Sequence, residues 1–144
     1  LRRRGEIDRI PRLFGVQAAN CAPYYTAFTL GSEHLVPTEI TTTIAEGIAS
    51  SKPTRVREVL HAVRNSGGSI VAVTEDEIVS ALGALARQGL YVEPTSAAAA
   101  AGLRNLFKSG AITPAQTTVL VLTGTGLKAS EKIGQLLNVG ARGE

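Results

Sequence analysis

The 144-residue sequence contains no methionine, no tryptophan and only one cysteine, Cys21. A single cysteine excludes an internal disulfide framework and favours a reducing compartment, for which we predict the cytoplasm. Because there is no initiator methionine, we expect that the chain does not begin where a gene would begin. No apolar run approaches the ~18 residues of a membrane span, and Leu1 leads directly into arginines. The sequence therefore predicts no membrane partner and no signal peptide.

Aromatic residues are also scarce, at 4% of the chain, so the core must consist mainly of Val, Ile, Leu and Ala. Basic residues are concentrated only at Arg2–Arg4, without a motif or interleaved aromatics typical of nucleic-acid binding. A solvated helix end is the better interpretation, and we expect no nucleic-acid partner. His34 and His61 have no acidic or histidine neighbour at metal-ligand spacing, so no metal site is expected and both should lie on the surface.

Short apolar runs alternate with amphipathic stretches along the chain. Strands are predicted at residues 13–17, 69–73 and 119–122, with a shorter apolar run at 90–92. Apolar residues at helical spacing are Tyr24, Tyr25 and Phe28; Val56, Val59, Leu60 and Val63; Ile78, Leu82 and Leu85; Leu103, Leu106 and Phe107; and Ile133, Leu136 and Leu137. Continuous apolar strands imply burial on both faces, which predicts a three-layer α/β fold, a mostly parallel sheet with helices on both faces.

Several residues mark where the predicted helices begin and end. Pro53 suits a first helical turn, and Thr74 with Glu77 three residues later forms a capping-box pattern. Gly67 and Gly68 suit a helix stop because glycine adopts the left-handed conformation readily. After Pro94, either Thr95 or Ser96 is predicted to cap the next helix.

Ligands of open parallel sheets bind outside the carboxyl ends of the strands, so the residues after two of the apolar runs are candidate ligand contacts. Thr123 and Gly124 follow the apolar run 119–122, and Glu93 follows the run 90–92. A threonine hydroxyl can bind a ligand there, and a glycine lets the backbone approach it closely. Each feature alone also fits a tight loop or a closely packed helix. Similarly, Gly47 indicates only a turn or a helix start near a crowded place.

Four segments together resemble consecutive motifs of threonine synthases and of the wider tryptophan-synthase-β class of pyridoxal-phosphate enzymes. They are TIAEGIA (43–49), VAVTEDEI (71–78), GLYVEPTSAAAAAGL (89–103) and VLVLTGTGLK (119–128). The resemblance implies the cofactor pyridoxal 5'-phosphate. It assigns Thr123 as the hydrogen-bond partner of the pyridine nitrogen, with Gly124 in the same turn. It further implies that Glu93 lines the cofactor pocket and that Gly47, beside Ala45 and Glu46, passes next to the cofactor.

Members of the family attach the cofactor through a lysine in an S-x-K-type motif of the N-terminal half. Two of the four lysines here, Lys52 and Lys132, have a serine two positions earlier, but the resemblance matches none of the four, which also include Lys108 and Lys128, to the attachment lysine. A glycine-rich phosphate loop is likewise missing. We therefore expect residues 1–144 to be the C-terminal part of a catalytic domain, with Lys128 a structural or surface residue.

The resemblance implies a lyase of threonine biosynthesis that converts O-phosphohomoserine and water to threonine and phosphate. Threonine or serine dehydratase and diaminopropionate lyase are alternatives within the same class, and a non-catalytic fragment is an alternative outside it. The partners implied are a small amino-acid substrate and, for the full-length protein, a second copy in a homodimer. Without its lysine the chain alone is expected to be inactive.

Overall fold

A computed structural model of the protein describes residues 1–137, in which helices and parallel strands alternate. The strands are β1 (Phe14–Ala18) and β2 (Ser69–Val73). The α-helices are α1 (Pro23–Thr29), α2 (Val56–Asn65), α3 (Glu75–Arg87), α4 (Pro94–Lys108) and α5 (Ser130–Leu136). Short 3-10 turns occupy Arg2–Arg4, Ala19–Cys21, Glu46–Ile48 and Gly126–Ala129. The predicted α/β class is confirmed.

Strands β1 and β2 pair in parallel, with Val16 opposite Val71 and Ala18 opposite Val73. On one face of the pair, Ala18 and Val73 join the larger core with α3 and α4. On the other face, Ile70 joins a smaller core formed with α1 and α2. The larger core comprises Ala18, Ala45, Val73, Ile78, Ala81, Leu82, Leu85, Val92, Ala97, Ala98, Ala101 and Ile133. Helices therefore cover both faces of the sheet, as the three-layer prediction requires.

Helix α4 packs closely against β1 because its alanines and Gly102 leave little side chain between the two backbones. A Cβ atom built on Gly102 would overlap the Val16 side chain and lie 2.9 Å from its Cγ1. Ala97, Ala98 and Ala101 on the same helix are at most 1% exposed. This close packing fixes the position of the N-terminus of α4 relative to the ends of the strands.

The start of α3 is set by local hydrogen bonds that the sequence predicts. The Glu77 amide donates to Thr74 Oγ1 (3.2 Å), and the Thr74 amide donates to Glu77 Oε2 (2.8 Å), completing the capping box. The hydrogen bond from the Thr74 backbone lowers the pKa of Glu77 below its ordinary value. At the end of α2, Gly67 adopts a φ of 70°, as expected for a helix stop, whereas Gly68 does not have a positive φ.

Helix α2 begins later than predicted. Pro53 was expected in its first turn, but the helix starts at Val56, after Arg55 adopts a left-handed φ of 58°. The Tyr24 hydroxyl donates to the carbonyl of Thr54 (2.7 Å), which ties this segment to α1. The tertiary contact therefore holds residues 53–55 outside the helix.

The prediction of a strand at residues 119–122 is wrong, because the described structure forms no strand there. Val119 is 84% exposed and Val121 66% exposed, whereas Leu120 and Leu122 are half-buried. Alternating burial is typical of an extended segment with one packed face. A strand also needs a hydrogen-bonded neighbour, and within residues 1–137 this region makes only one isolated antiparallel bridge, between Val92 and Thr125. The shorter run at 90–92 likewise contributes this bridge rather than a strand.

Candidate functional site

The N-terminus of α4 is the point at which three of the chain's separated segments meet. Glu93 is the N-cap residue and Pro94 occupies the first turn, so Thr95 and Ser96 lie inside the helix. The prediction that Thr95 or Ser96 caps α4 is therefore wrong. Pro94 begins the helix two or three residues earlier than a cap at Thr95 or Ser96 would. Their hydroxyls instead contact other segments.

Ser96 connects α4 to the turn at residues 123–124. Its side chain is 1% exposed, and its Oγ accepts a hydrogen bond of 2.8 Å from the Gly124 amide. The same oxygen lies 3.3 Å from Thr123 Oγ1 and 3.3 Å from the Gly124 carbonyl oxygen. Thr123 itself is an exposed residue.

Glu93 lies directly against the same turn. Its amide donates to the Gly124 carbonyl (3.2 Å), and a Cβ atom on Gly124 would overlap the Glu93 carboxylate and lie 2.9 Å from its Cγ. Glycine at position 124 therefore permits the half-buried Glu93 side chain to lie over the backbone of the turn. A larger residue at position 124 would overlap the Glu93 side chain, which explains why glycine is required there.

Gly47 is joined to the same helix terminus through Thr95. The Gly47 amide donates to Thr95 Oγ1 (3.1 Å), and a Cβ atom on Gly47 would lie 2.8 Å from that oxygen. Any larger residue would push Thr95 away and break the hydrogen bond. The expected turn at this point is confirmed by the 3-10 turn Glu46–Ile48.

The segment that leads to Gly47 is anchored by a carboxylate at the start of α3. Glu75 accepts a hydrogen bond from the Thr43 hydroxyl (2.7 Å) and one from the Ile44 amide (2.7 Å). Hydrogen bonds to an ionised acceptor are among the stronger ones in proteins. Since Thr43 is 8% exposed and Ala45 is fully buried, this anchor is largely shielded from solvent.

An ion pair connects the same loop to the C-terminal side of the site. Lys132 Nζ on α5 lies 2.5 Å from Glu46 Oε1, and its hydrogen bond and charge lower the pKa of Glu46. Lys128 is exposed, which confirms its interpretation as a surface residue. His34 and His61 are exposed as expected, and no group of potential metal ligands occurs within residues 1–137.

The structure thus brings the four predicted site residues, Thr123, Gly124, Glu93 and Gly47, to one end of α4. The sequence did not predict the role of Thr95 and Ser96, whose hydroxyls connect α4 to the Gly47 turn and to the turn at residues 123–124. The signal was available in Pro94. A proline in the first turn makes the preceding residue the cap and leaves the two following hydroxyls free to bond elsewhere.

A family model described as pyridoxal-phosphate dependent enzyme matches residues 1–124 of the chain. The chain belongs to this family. Threonine synthase of Methanocaldococcus jannaschii is 39% identical over 125 residues, covering 86% of this chain and 31% of the relative. Threonine synthase of Methanosarcina acetivorans is 38% identical over 130 residues, covering 90% of this chain and 32% of the relative. The chain therefore spans about a third of the length of these curated relatives.

Solved structures of the family share the fold. Threonine synthase from Escherichia coli superposes with a TM-score of 0.72 at 18% identity, covering 90% of this chain and 29% of that one. A threonine deaminase from T.th. gives a TM-score of 0.61 at 24% identity, covering 79% of this chain and 39% of that one. At these identities the likeness supports the fold alone.

The residues at the end of α4 fit the ring-nitrogen end of pyridoxal phosphate, the cofactor of the family. A pyridine nitrogen needs one hydrogen-bond partner, and the exposed Thr123 hydroxyl has a donor and acceptor capacity that Ser96 does not exhaust. Gly47 and Gly124 allow Thr95 and Glu93 to pack against the backbone of the two turns beside this hydroxyl. No helix among residues 1–137 has the length and apolar character to cross a membrane.

Proposed function

We propose that the chain is the C-terminal part of a threonine synthase that converts O-phosphohomoserine and water to threonine and phosphate. The observation that carries this proposal is the identity of 38–39% to threonine synthases over 86–90% of the chain. It is supported by the gathering of the motif residues at the end of α4. As a whole protein, we propose a cytoplasmic homodimer, which fractionation and mass measurement in solution would test.

The chain's own residues have separate parts in the proposed reaction. Pyridoxal phosphate supplies an electron sink for the carbanion formed at the amino-acid substrate. Thr123 donates a hydrogen bond to the ring nitrogen without protonating it fully, because a hydroxyl is a far weaker acid than a carboxyl group. A neutral hydroxyl at position 123, rather than a carboxyl group, would therefore suit elimination and replacement at the β-carbon. Glu93 and the Gly47 turn border the pocket and orient the ring.

Threonine or serine dehydratase and diaminopropionate lyase remain the alternatives within this class. The discriminating experiment assays the intact protein with O-phosphohomoserine, threonine, serine and diaminopropionate. Phosphate release with threonine formation supports the proposal. Exclusive ketoacid and ammonia release from the other substrates would replace it with a dehydratase or lyase.

The isolated 144-residue chain should form no threonine. The motif resemblance matches no residue of this sequence to the family's attachment lysine or to its glycine-rich phosphate loop, so the cofactor would lack both its attachment point and its phosphate cradle. The measurement is threonine formation from O-phosphohomoserine with added pyridoxal phosphate, with the intact protein as the positive control. Turnover by the chain alone, or a pyridoxyl group fixed to Lys128 by borohydride, would contradict this expectation.

Removal of the Thr123 hydroxyl should weaken cofactor binding in the intact protein. Thr123→Val keeps the shape but removes a hydrogen bond, so the cofactor Kd should rise by about three- to tenfold, with a larger fall in turnover. Thr123→Ser keeps the hydroxyl and should retain most of both. The control is Thr118→Val, an exposed threonine before the same turn. If Thr123→Val matched the unmodified protein in both measurements, Thr123 would be only a turn residue.

A further inference from the structure

Ser96 is a buried hydroxyl whose polar contacts all belong to one turn. The side chain is 1% exposed, so its hydrogen bonds are shielded from competition with water. It accepts from the Gly124 amide at 2.8 Å, and its own proton has two acceptors within 3.3 Å, Thr123 Oγ1 and the Gly124 carbonyl oxygen. A serine hydroxyl has only one proton to donate, so it can make only one of these two bonds at a time.

The two possible acceptors of the Ser96 proton differ in what else they bind. The Gly124 carbonyl oxygen already accepts a hydrogen bond of 3.2 Å from the Glu93 amide. Within residues 1–137, the hydrogen-bond neighbour of Thr123 Oγ1 is Ser96 Oγ. When Thr123 donates its proton to another group, its oxygen becomes a better acceptor, because hydrogen bonds in a chain polarise one another. A Thr123 that donates outward therefore attracts the Ser96 proton.

We infer that Ser96 is a positioning residue that gives its proton to Thr123 Oγ1 and so commits the Thr123 proton to the cofactor's ring nitrogen. This inference rests on the role proposed for Thr123. Without the Ser96 donor, the Thr123 hydroxyl is free to rotate and to act as an acceptor instead. The ring nitrogen would then lose a fixed donor, although Thr123 itself is unchanged.

Neighbouring hydroxyls do not share this arrangement, which supplies a matched control. Ser130 lies close to the same glycine-containing turn, but the two acceptors within reach of its single proton are the carbonyl oxygens of Gly126 (3.3 Å) and Leu127 (3.2 Å). It is exposed, and within residues 1–137 its hydroxyl makes no hydrogen bond with Thr123. Ser130→Ala therefore removes a serine hydroxyl beside the turn without touching the inferred proton chain.

The test compares variants of the intact holoenzyme loaded with pyridoxal phosphate that carries 15N in the ring. The readout is the 15N chemical shift of the ring nitrogen, which reports its hydrogen bond, together with the cofactor Kd. Thr123→Val is the reference for complete loss of the donor. Ser96→Ala should move the shift part of the way towards that reference and raise the Kd by less than the about three- to tenfold expected of Thr123→Val. Ser130→Ala should leave both unchanged.

A second variant tests whether the effect of Ser96→Ala comes from a folding defect at this buried position. Ser96→Cys keeps nearly the same shape but has a weak donor and acceptor, so it should shift the 15N signal in the same direction as Ser96→Ala. In a Thr123→Val background, Ser96→Ala should produce no further 15N change. This non-additivity is the signature of a residue that acts through Thr123.

The outcomes separate this inference from the proposed function. If Thr123→Val moves the 15N signal but Ser96→Ala and Ser96→Cys do not, the inference is overturned and the role of Thr123 stands. A lowered melting temperature with an unchanged 15N signal would likewise make Ser96 merely structural. If Thr123→Val also leaves the signal unchanged, the proposed contact with the ring nitrogen is wrong and the inference falls with it.

Discussion

Gly68→Ala should destabilise the protein by about 3 kcal/mol or more, the upper end of the cost of overpacking. A Cβ atom at this position would overlap the Leu13 carbonyl oxygen and lie 2.7 Å from the carbonyl carbon. Unlike a side chain, this backbone group cannot move away by changing rotamer. Leu13 immediately precedes β1, so the displacement would disturb the pairing of Phe14 with Ser69. Thermal and urea unfolding of the variant measure the loss.

Gly83→Ala is the matched control, because it makes the same change at a glycine with free space. Gly83 lies within α3, and a Cβ atom there would meet its nearest atoms, on Arg87 and Leu137, at 3.5 Å. Alanine in a helix interior is favoured over glycine by ~0.5–1 kcal/mol, so this variant should be slightly more stable. Equal unfolding midpoints for Gly68→Ala and Gly83→Ala would contradict the backbone-overlap argument.

Elements that depend on local sequence were predicted closely. Residues 69–73 were predicted as a strand and form β2, and the strand predicted at 13–17 differs from β1 by one residue. The capping box of Thr74 and Glu77 likewise needs only residues three apart. Residues 119–122 show the limit of this reasoning. Their apolar character predicts a preference for burial, but pairing depends on a neighbouring strand that no local pattern specifies.

The candidate site was predictable in its residues but not in its connections. The motif resemblance selected Thr123, Gly124, Glu93 and Gly47, and the structure places them around one helix terminus. The sequence did not indicate that Ser96 joins the turn to α4, because a hydroxyl near a helix start is usually assigned as a cap. Hydrogen bonds between residues 28 positions apart require the three-dimensional structure.

Gly102→Ala should also have a large effect, and this effect should extend to the site. The added methyl group would overlap the Val16 side chain, which is stiff because it is branched at Cβ. We expect a net loss of about 1–2 kcal/mol, since overpacking of ~1–3 kcal/mol is partly offset by the better helix propensity of alanine. The displacement of α4 from β1 would also move Ser96 and Glu93, so the cofactor Kd of the intact protein should rise.

A compensating change in the partner strand provides the control for this last prediction. Val16→Ala alone removes two methyl groups and should cost ~1.6 kcal/mol. In the double variant the methyl group added at position 102 occupies space that Val16 vacates, so the combined loss should be smaller than the sum by about 1 kcal/mol. Unfolding free energies of the four proteins in this cycle measure the difference, and the cofactor Kd should recover in parallel. Strict additivity would mean that α4 and β1 do not meet through these two residues, and the closely packed helix would no longer account for the position of the site.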